Sequence, residues 1–362
     1  MKIGIIGNYG ATNVGDDAIL TAILKTFSGH DVTVFSANPD ETRREFGIKT
    51  APLFPLGFRS LFKIGFRKSI KAMNSVDFVV VGGGGLFQDN YIYACFIWAW
   101  QIFWADYFRR PIFIYGTGIG PLKTRIGKFL TKWAYNKAEV VTVRDHYSKD
   151  ILTKIGIHEQ KIYTTADPAF LYRSSGIIKE RTKNVFIISL RPWLKYNSRI
   201  ISTFSSFLEK LKKEKNAEFI FTSMQQIKEH DQRVIDAVCK KVGGELYIPR
   251  NFSDLVQTMQ SAEYAIGMRY HFLIAALLTE TPLIPISYSP KIDELFKGTH
   301  MESYIVPVNH LSADILNEKL KRLSVDYNNV KIFEKIQKGK LCELAEKNAD
   351  LFDDFTKTFD QE

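Results

Sequence analysis

Short β-branched and aliphatic runs recur along this chain, each closed by a glycine or polar loop and followed by a stretch of helical period. Lys2–Ile6, Asp31–Phe35, Phe78–Val81, Pro111–Tyr115 and Val140–Val143 read as strands, with helices expected over Asp16–Phe27, Phe96–Phe108 and Lys128–Lys137. Parallel neighbours need a long crossover, usually a helix, so this alternation selects a parallel sheet with helices on both faces. A polar stretch of mixed charge, Tyr172–Asn184, interrupts the pattern, which then restarts. Val185–Leu190, Phe219–Thr222, Leu246–Ile248, Tyr264–Ile266 and Pro282–Ile286 are the second set of strands, with a helix over Ser253–Gln260 capped by Ser253. At 362 residues there is room for about two domains. The expectation is an α/β chain of two doubly wound halves: 1–172, a linker at 173–184, 185–315, and a charged helical tail at 316–362 that crosses back to the first half.

The chain carries 49 Lys+Arg against 39 Asp+Glu, a formal net charge of +10. Such an excess points to an anionic partner: nucleic acid, an acidic membrane, or a phosphorylated or carboxylated substrate. Hydrophobic residues at 45% and charged residues at 24% exclude a disordered chain. Cys95, Cys239 and Cys342 lie far apart without CxxC spacing, which argues against a disulfide framework and a structural zinc site. A reducing cytoplasm is the expected compartment. The opening MKIGIIGNYG lacks the layout of a signal peptide. The most apolar stretch, Tyr91–Tyr115, is broken by Gln101, Asp106, Arg109, Arg110 and Pro111, so a buried helix and a buried strand are expected there, not a membrane span.

Ligands of doubly wound sheets sit beyond the carboxyl ends of the strands. The glycine-rich and charged motifs of this sequence fall at those ends. Gly7-Asn8-Tyr9-Gly10-Ala11-Thr12-Asn13-Val14-Gly15-Asp16-Asp17 joins a strand to a helix and suits an anion, but fits neither GxGxxG nor GxxxxGK[ST]. Asp16 and Asp17 stand where they either complement the helix dipole or take part in catalysis. Gly82–Gly85, before Gln88 and Asp89, and Gly116–Pro121 let backbone approach a ligand closely. Arg144 either binds an anion through its planar fork or pairs with Asp145 on the surface. Asp167-Pro168 reads as a turn. Arg191 is a second candidate anion ligand, and Trp193 either stacks on a sugar or packs in the core. His230, between Glu229 and Asp231, reads as a surface histidine at a helix start.

Gly267-Met268-Arg269-Tyr270-His271 is the strongest constellation. It places Arg269 and His271 at the start of the apolar helix Phe272–Leu278, where a cation is disfavoured without a negative ligand. Ser287-Tyr288-Ser289-Pro290-Lys291 adds another cation at the next strand end. HExxH, GxSxG, CxxC and EF-hand patterns are missing from the sequence, so no metal and no cofactor are expected.

Taken together, GNYGATNVGDDAIL, VVGGGGLFQD, YGTGIGP, TVRDHYS, ADPAF, SLRPW, GMRYH and SYSPK resemble the motifs of the polysaccharide pyruvyl transferase family, in family order from residue 7 to residue 291. The resemblance implies a GT-B-like fold, two Rossmann-like domains facing across a cleft. It also implies transfer of pyruvate from phosphoenolpyruvate to a sugar as a ketal. The best-known branch of the family acts on a cell-wall polysaccharide precursor carried on undecaprenyl pyrophosphate. Carried onto matching positions, it implicates Arg144, Arg269, His271 and Lys291. His271 is expected to act as general acid or base, with Arg269 beside it. Arg144, Arg269, Lys291 and Tyr288 are assigned to the donor, and Asn13, Asp16, Gly84, Gly85, Gln88, Asp89, Arg191 and Trp193 to the acceptor. Ser289 departs from the Asp often found in the family.

Two alternatives stay open. One is a nucleotide-sugar glycosyltransferase on the same fold. The other is a non-catalytic basic protein of membranes or nucleic acid, although RNP, helix-turn-helix and OB signatures are lacking and nucleic acid is not the expected partner. Residues 57–73 interleave Arg59, Lys63, Arg67, Lys68 and Lys71 with Phe58, Leu61, Phe62, Phe66 and Ile70. Such a basic amphipathic helix either docks on an anionic membrane, where a lipid-linked acceptor waits, or packs on the sheet.

Overall fold

The computed structural model describes residues 1–11, 13–56, 64–89, 92–173, 181–225 and 231–359. Two compact units emerge. The first holds Met1–Ala11, Asp16–Tyr172 and Leu341–Glu362, the second Thr12–Gly15 and Arg173–Lys340.

The first unit is built on a parallel sheet of β1 (Lys2–Ile6), β2 (Asp31–Ser36), β3 (Lys49–Pro52), β4 (Phe78–Gly82), β5 (Ile112–Thr117), β6 (Val140–Val143) and β7 (Ile162–Thr164), in the order β3-β2-β1-β4-β5-β6-β7. Its central strands are uniformly apolar because both faces are covered: β4 and β5 are buried along their whole length. The crossovers are α1 (Val14–Thr26), α2 (Pro39–Phe46), α3 (Ile64–Asn74), α4 (Ile92–Tyr107), α5 (Arg125–Asn136) and α6 (His146–Lys154). Local chemistry sets their starts. Thr124 Oγ1 accepts from Gly127 N at 2.9 Å ahead of α5, and Asp145 accepts from Ser148 N at 2.7 Å ahead of α6.

The second unit repeats the plan with β8 (Thr182–Ser189), β9 (Glu218–Thr222), β10 (Glu245–Tyr247), β11 (Ala262–Gly267), β12 (Leu283–Ser287) and β13 (Val306–Pro307), in the order β10-β9-β8-β11-β12-β13. Its helices are α7 (Asn197–Lys215), α8 (Gln232–Val242), α9 (Phe252–Ser261), α10 (Tyr270–Leu278), α11 (Pro290–Phe296), α12 (Ala313–Val325) and α13 (Tyr327–Lys357). Strand β8 begins earlier than expected, at Thr182, so the last residues of the expected linker are sheet. Most of that linker, 174–180, lies outside the described residues. Asn251, not Ser253, caps α9, its Oδ1 accepting from Asp254 N at 3.0 Å. The last helix, α13, contributes to both units. In the second unit Lys338 reaches Glu280 at 2.9 Å. In the first, the buried Asn348 side chain accepts from Thr142 and Thr165 hydroxyls at 2.6 and 2.9 Å and donates to Ala166 O at 3.1 Å.

Two helices differ from expectation. The described part of the basic segment, α3, packs its apolar residues into the first unit: Phe66 meets Phe54 and Trp104 edge-on, and Met73 is fully buried. Arg67, Lys68 and Lys71 are exposed, while 57–63, with Arg59 and Lys63, lie outside the described residues. Helix α4 is not the buried helix its apolarity suggested. Tyr93, Phe96, Phe103 and Tyr107 are exposed. Among the described residues no helix is long and apolar enough to cross a membrane.

Candidate functional site

At the carboxyl edge of the first sheet, several charged groups are held by local partners. Asn8 Nδ2 donates to Asp16 Oδ2 at 2.7 Å, and both Asp16 and Asp17 are buried in the first turn of α1. Burial first, then Glu45, Asp16 and Glu41, push Asp17 up to about 8, so its carboxyl holds a proton at neutral pH. Gly84, at φ +72°, turns the chain so that its carbonyl accepts from Gly118 N at 2.9 Å. A Cβ on Gly118 would lie 2.4 Å from the Arg144 guanidinium, so the glycine makes room for that side chain. Gly85 is exposed and Gln88 half-buried.

Arg144 is not at the surface, and Asp145 is not its main partner. Its guanidinium is buried and donates to the fully buried Asp167 at 2.8 Å, with Asp145 farther at 3.6 Å. Asp167 also accepts from Ala169 N at 3.0 Å, so one carboxylate fixes both the arginine and the turn after β7. Asp89, expected at the acceptor, is used at a helix start, where it accepts from Lys123 N at 2.7 Å and from Thr124 N. Burial raises its pKa, but these backbone donors outweigh that and hold the carboxyl below its usual range.

The carboxyl edge of the second sheet is different. Arg191, after β8, donates through Nη1 to Tyr288 Oη at 3.0 Å. Its guanidinium also lies 4.8 Å from the centre of the Tyr288 ring and 5.3 Å from that of Trp193. The Trp193 and Tyr288 rings are 4.5 Å apart, and Lys291 Nζ is 5.6 Å from the Tyr288 ring and 5.9 Å from Tyr270. Burial raises the Tyr288 pKa, yet Lys291, Arg191 and Arg269 together pull the phenol down to about 8. Arg269, at the cap position of α10, is gripped by both oxygens of the fully buried Asp231, with Nε to Oδ2 at 2.8 Å. His271 follows in the first turn of α10. Residues 13–15 group with this unit, and a Cβ on Gly15 would lie 2.1 Å from His271 Nδ1, so the imidazole rests against bare backbone. Asn13 Oδ1 accepts from Gly15 N at 3.1 Å, and Asn13 bridges to Gln225.

Arg191, Trp193, Tyr288 and Lys291 are therefore one cluster, although the expectation divided them between acceptor and donor. Arg144 belongs to the first unit's own ion pairs. Asp231 went unrecognised as a site residue in the sequence. Its only signal was a carboxylate opening a helix after a strand-end loop, 38 residues from its arginine. His230 and the rest of 226–230 lie outside the described residues. Among the described residues, no group of three or more His, Cys, Asp or Glu could hold a metal ion.

Each unit alone has the strand order and parallel pairing of a Rossmann-like domain, and solved structures with the same fold are GT-B-type enzymes of nucleotide sugars. HepE from Anabaena, solved with UDP-glucose, matches with a TM-score of 0.67 at 11% identity over 99% of this chain and 100% of that one. A putative UDP-N-acetylglucosamine 2-epimerase from Listeria monocytogenes matches with a TM-score of 0.65 at 12% identity, over 100% and 97%. The fold is thus GT-B-like, with two Rossmann-like α/β domains. Within that class, a family model described as polysaccharide pyruvyl transferase matches residues 13–290, and the chain belongs to this family. It is also 24% identical over 209 residues to the amylovoran biosynthesis protein AmsJ of Erwinia amylovora, covering 48% of this chain and 50% of that protein. The match thus spans about half the length of the curated relative.

Proposed function

We propose that this protein transfers a pyruvyl group from phosphoenolpyruvate to a sugar of a cell-envelope or exopolysaccharide precursor, forming a ketal and releasing phosphate. The observation that carries the reading is the positive field around Tyr288. Arg191 and Lys291 gathered on the Tyr288 ring, with Arg269 pulling the phenol down further, favour a small, multiply charged anion. Phosphoenolpyruvate brings a carboxylate and a phosphate to one point. Arg191, Arg269 and Lys291 hold those charges, with the Tyr288 hydroxyl as a further donor. Asp231 positions Arg269.

The reaction starts with a proton delivered to the methylene carbon, which leaves C2 oxocarbenium-like. A sugar hydroxyl adds to C2 and gives up its proton, the C2–O bond to phosphate breaks, and a second hydroxyl closes the ring, its proton leaving with phosphate. His271 is the group that gives and takes the proton, because an imidazole offers both a proton donor and a proton acceptor. A lipid carrier for the acceptor is part of the same proposal.

The test is phosphate release from phosphoenolpyruvate in the presence of a cell-envelope precursor pool, with the glycan product identified by mass spectrometry. His271→Ala or Lys291→Ala should lower turnover by at least about a hundredfold. Near-normal turnover in both would overturn the assignment. A second reading, a nucleotide-sugar glycosyltransferase, is favoured by the UDP-sugar ligand of the HepE structure. UDP release from UDP-sugars, with no phosphate release from phosphoenolpyruvate, would select it.

A further inference from the structure

We propose that α4 and α5 together form a docking face for a lipid bilayer bearing anionic headgroups. Helix α4 buries Cys95, Trp98, Ile102 and Ala105 on one side. Its other side carries Tyr93, Phe96, Trp100, Phe103 and Tyr107 at helical spacing, and Tyr107 is 64% exposed. The neighbouring α5 buries Gly127, Thr131, Ala134 and Tyr135, and turns Ile126 and Phe129 outward, the latter 68% exposed. Two neighbouring helices thus present aromatic and aliphatic side chains to solvent. Exposed apolar side chains gathered on two neighbouring helices point to an interaction surface.

Charge decides what covers it. Between Ile92 and Lys137 the sequence has seven Lys or Arg and one acidic residue, Asp106, which Lys137 pairs at 2.8 Å. Arg125, Lys128 and Lys132 run along the edge of the α5 stripe and are exposed. A second copy of the chain would bring like charges together, so self-association through this face is opposed. An anionic bilayer complements it, with cations at the headgroups and aromatic rings at the interface. Helix α3, which meets α4 through Phe66 and Trp104, adds Arg67, Lys68 and Lys71 as exposed cations. The apolar contact belongs to α4 and α5, because the apolar side of α3 is used inside the protein.

The experiment is co-sedimentation of the full chain with vesicles of phosphatidylcholine, alone or with about 30 mol% phosphatidylglycerol, with and without brominated acyl chains. Four of the five tryptophans, Trp98, Trp100, Trp104 and Trp133, lie on these helices, so brominated chains should quench the fluorescence. The protein should bind the anionic vesicles and scarcely the neutral ones. A Phe96→Ser, Phe129→Ser double variant, both positions exposed, should keep its circular dichroism and melting temperature, bind at least about tenfold more weakly, and lose most of the quenching. Arg125→Gln, Lys128→Gln, Lys132→Gln should weaken binding to anionic vesicles by at least about tenfold. Absence of wild-type binding to anionic vesicles, or variants that bind like wild type, would overturn the proposal. So would substitutions that only dissociate an oligomer seen by light scattering, or binding to single-stranded DNA in place of vesicles.

Discussion

The carboxyl edges of the two sheets share one architecture but differ in how their charges are held. On the first edge three charged groups have partners of their own. Arg144 is held by Asp167, Asp16 by Asn8, and Asp89 by backbone N–H groups. On the second, Arg191 is bound to a phenol and not to a carboxylate, and three cations act on that phenol at once. A buried pair such as Arg144–Asp167 or Arg269–Asp231 fixes loops, while the cations drawn toward the Tyr288 hydroxyl shape a positive field at the second edge. A strand-end arginine is thus tied to a buried carboxylate in Arg144 and Arg269 and to a phenol in Arg191.

The largest effect that could break this comparison is on stability. Arg144→Ala leaves Asp167 buried without its counter-charge and should destabilise the protein by about 3–5 kcal/mol in urea unfolding. If it instead raised the KM for phosphoenolpyruvate without lowering stability, the first edge would bind donor as well.

The next effect is a pH dependence. With its pKa pulled to about 8, Tyr288 gains a negative charge above that pH and cancels part of the cationic field. The KM for phosphoenolpyruvate should rise about tenfold as pH passes through that value, and Tyr288→Phe should remove the rise. The stability sign follows from the same shift. Between about 8 and the ordinary phenol value of about 10 the unfolded chain binds more protons, so stability rises with pH there and the gain is lost as pH falls through 8.

The smallest expected effect sharpens the picture of the first edge. Asp17, raised to about 8, keeps its proton in the fold while the unfolded chain releases it above about 4. Its contribution is therefore present at low pH and declines as pH rises toward 8. Asp17→Asn, which imitates the protonated form, should raise the melting temperature by about 3 °C at pH 9 and leave it nearly unchanged at pH 4.

Much of the architecture was legible in the sequence because parallel strands covered on both faces must be continuous apolar runs. The short edge strands β3, β7 and β13 were not, since brief edge pairings carry too few apolar residues to stand out. The exposed face of α4 was hidden for the opposite reason. Its apolar residues run all the way round, so no polar stripe marked the side that faces water. Of the candidate site, the strand-end positions of Arg269, His271, Lys291 and Tyr288 were readable from their motifs. Asp231 was not, because its pairing with Arg269 depends on two crossovers returning to the same edge.

By itself the sequence determined a doubly wound α/β fold, the places where the chain turns back at the carboxyl edges, and the residue types available there. These are local matters of hydrophobic run, turn and helix start. Only the tertiary structure decided which charges meet. It set Arg144 against Asp167, bound Arg269 to Asp231, and gathered Arg191, Trp193 and Lys291 about Tyr288. Electrostatic energy depends on distance and burial, and neither is carried by spacing along the chain.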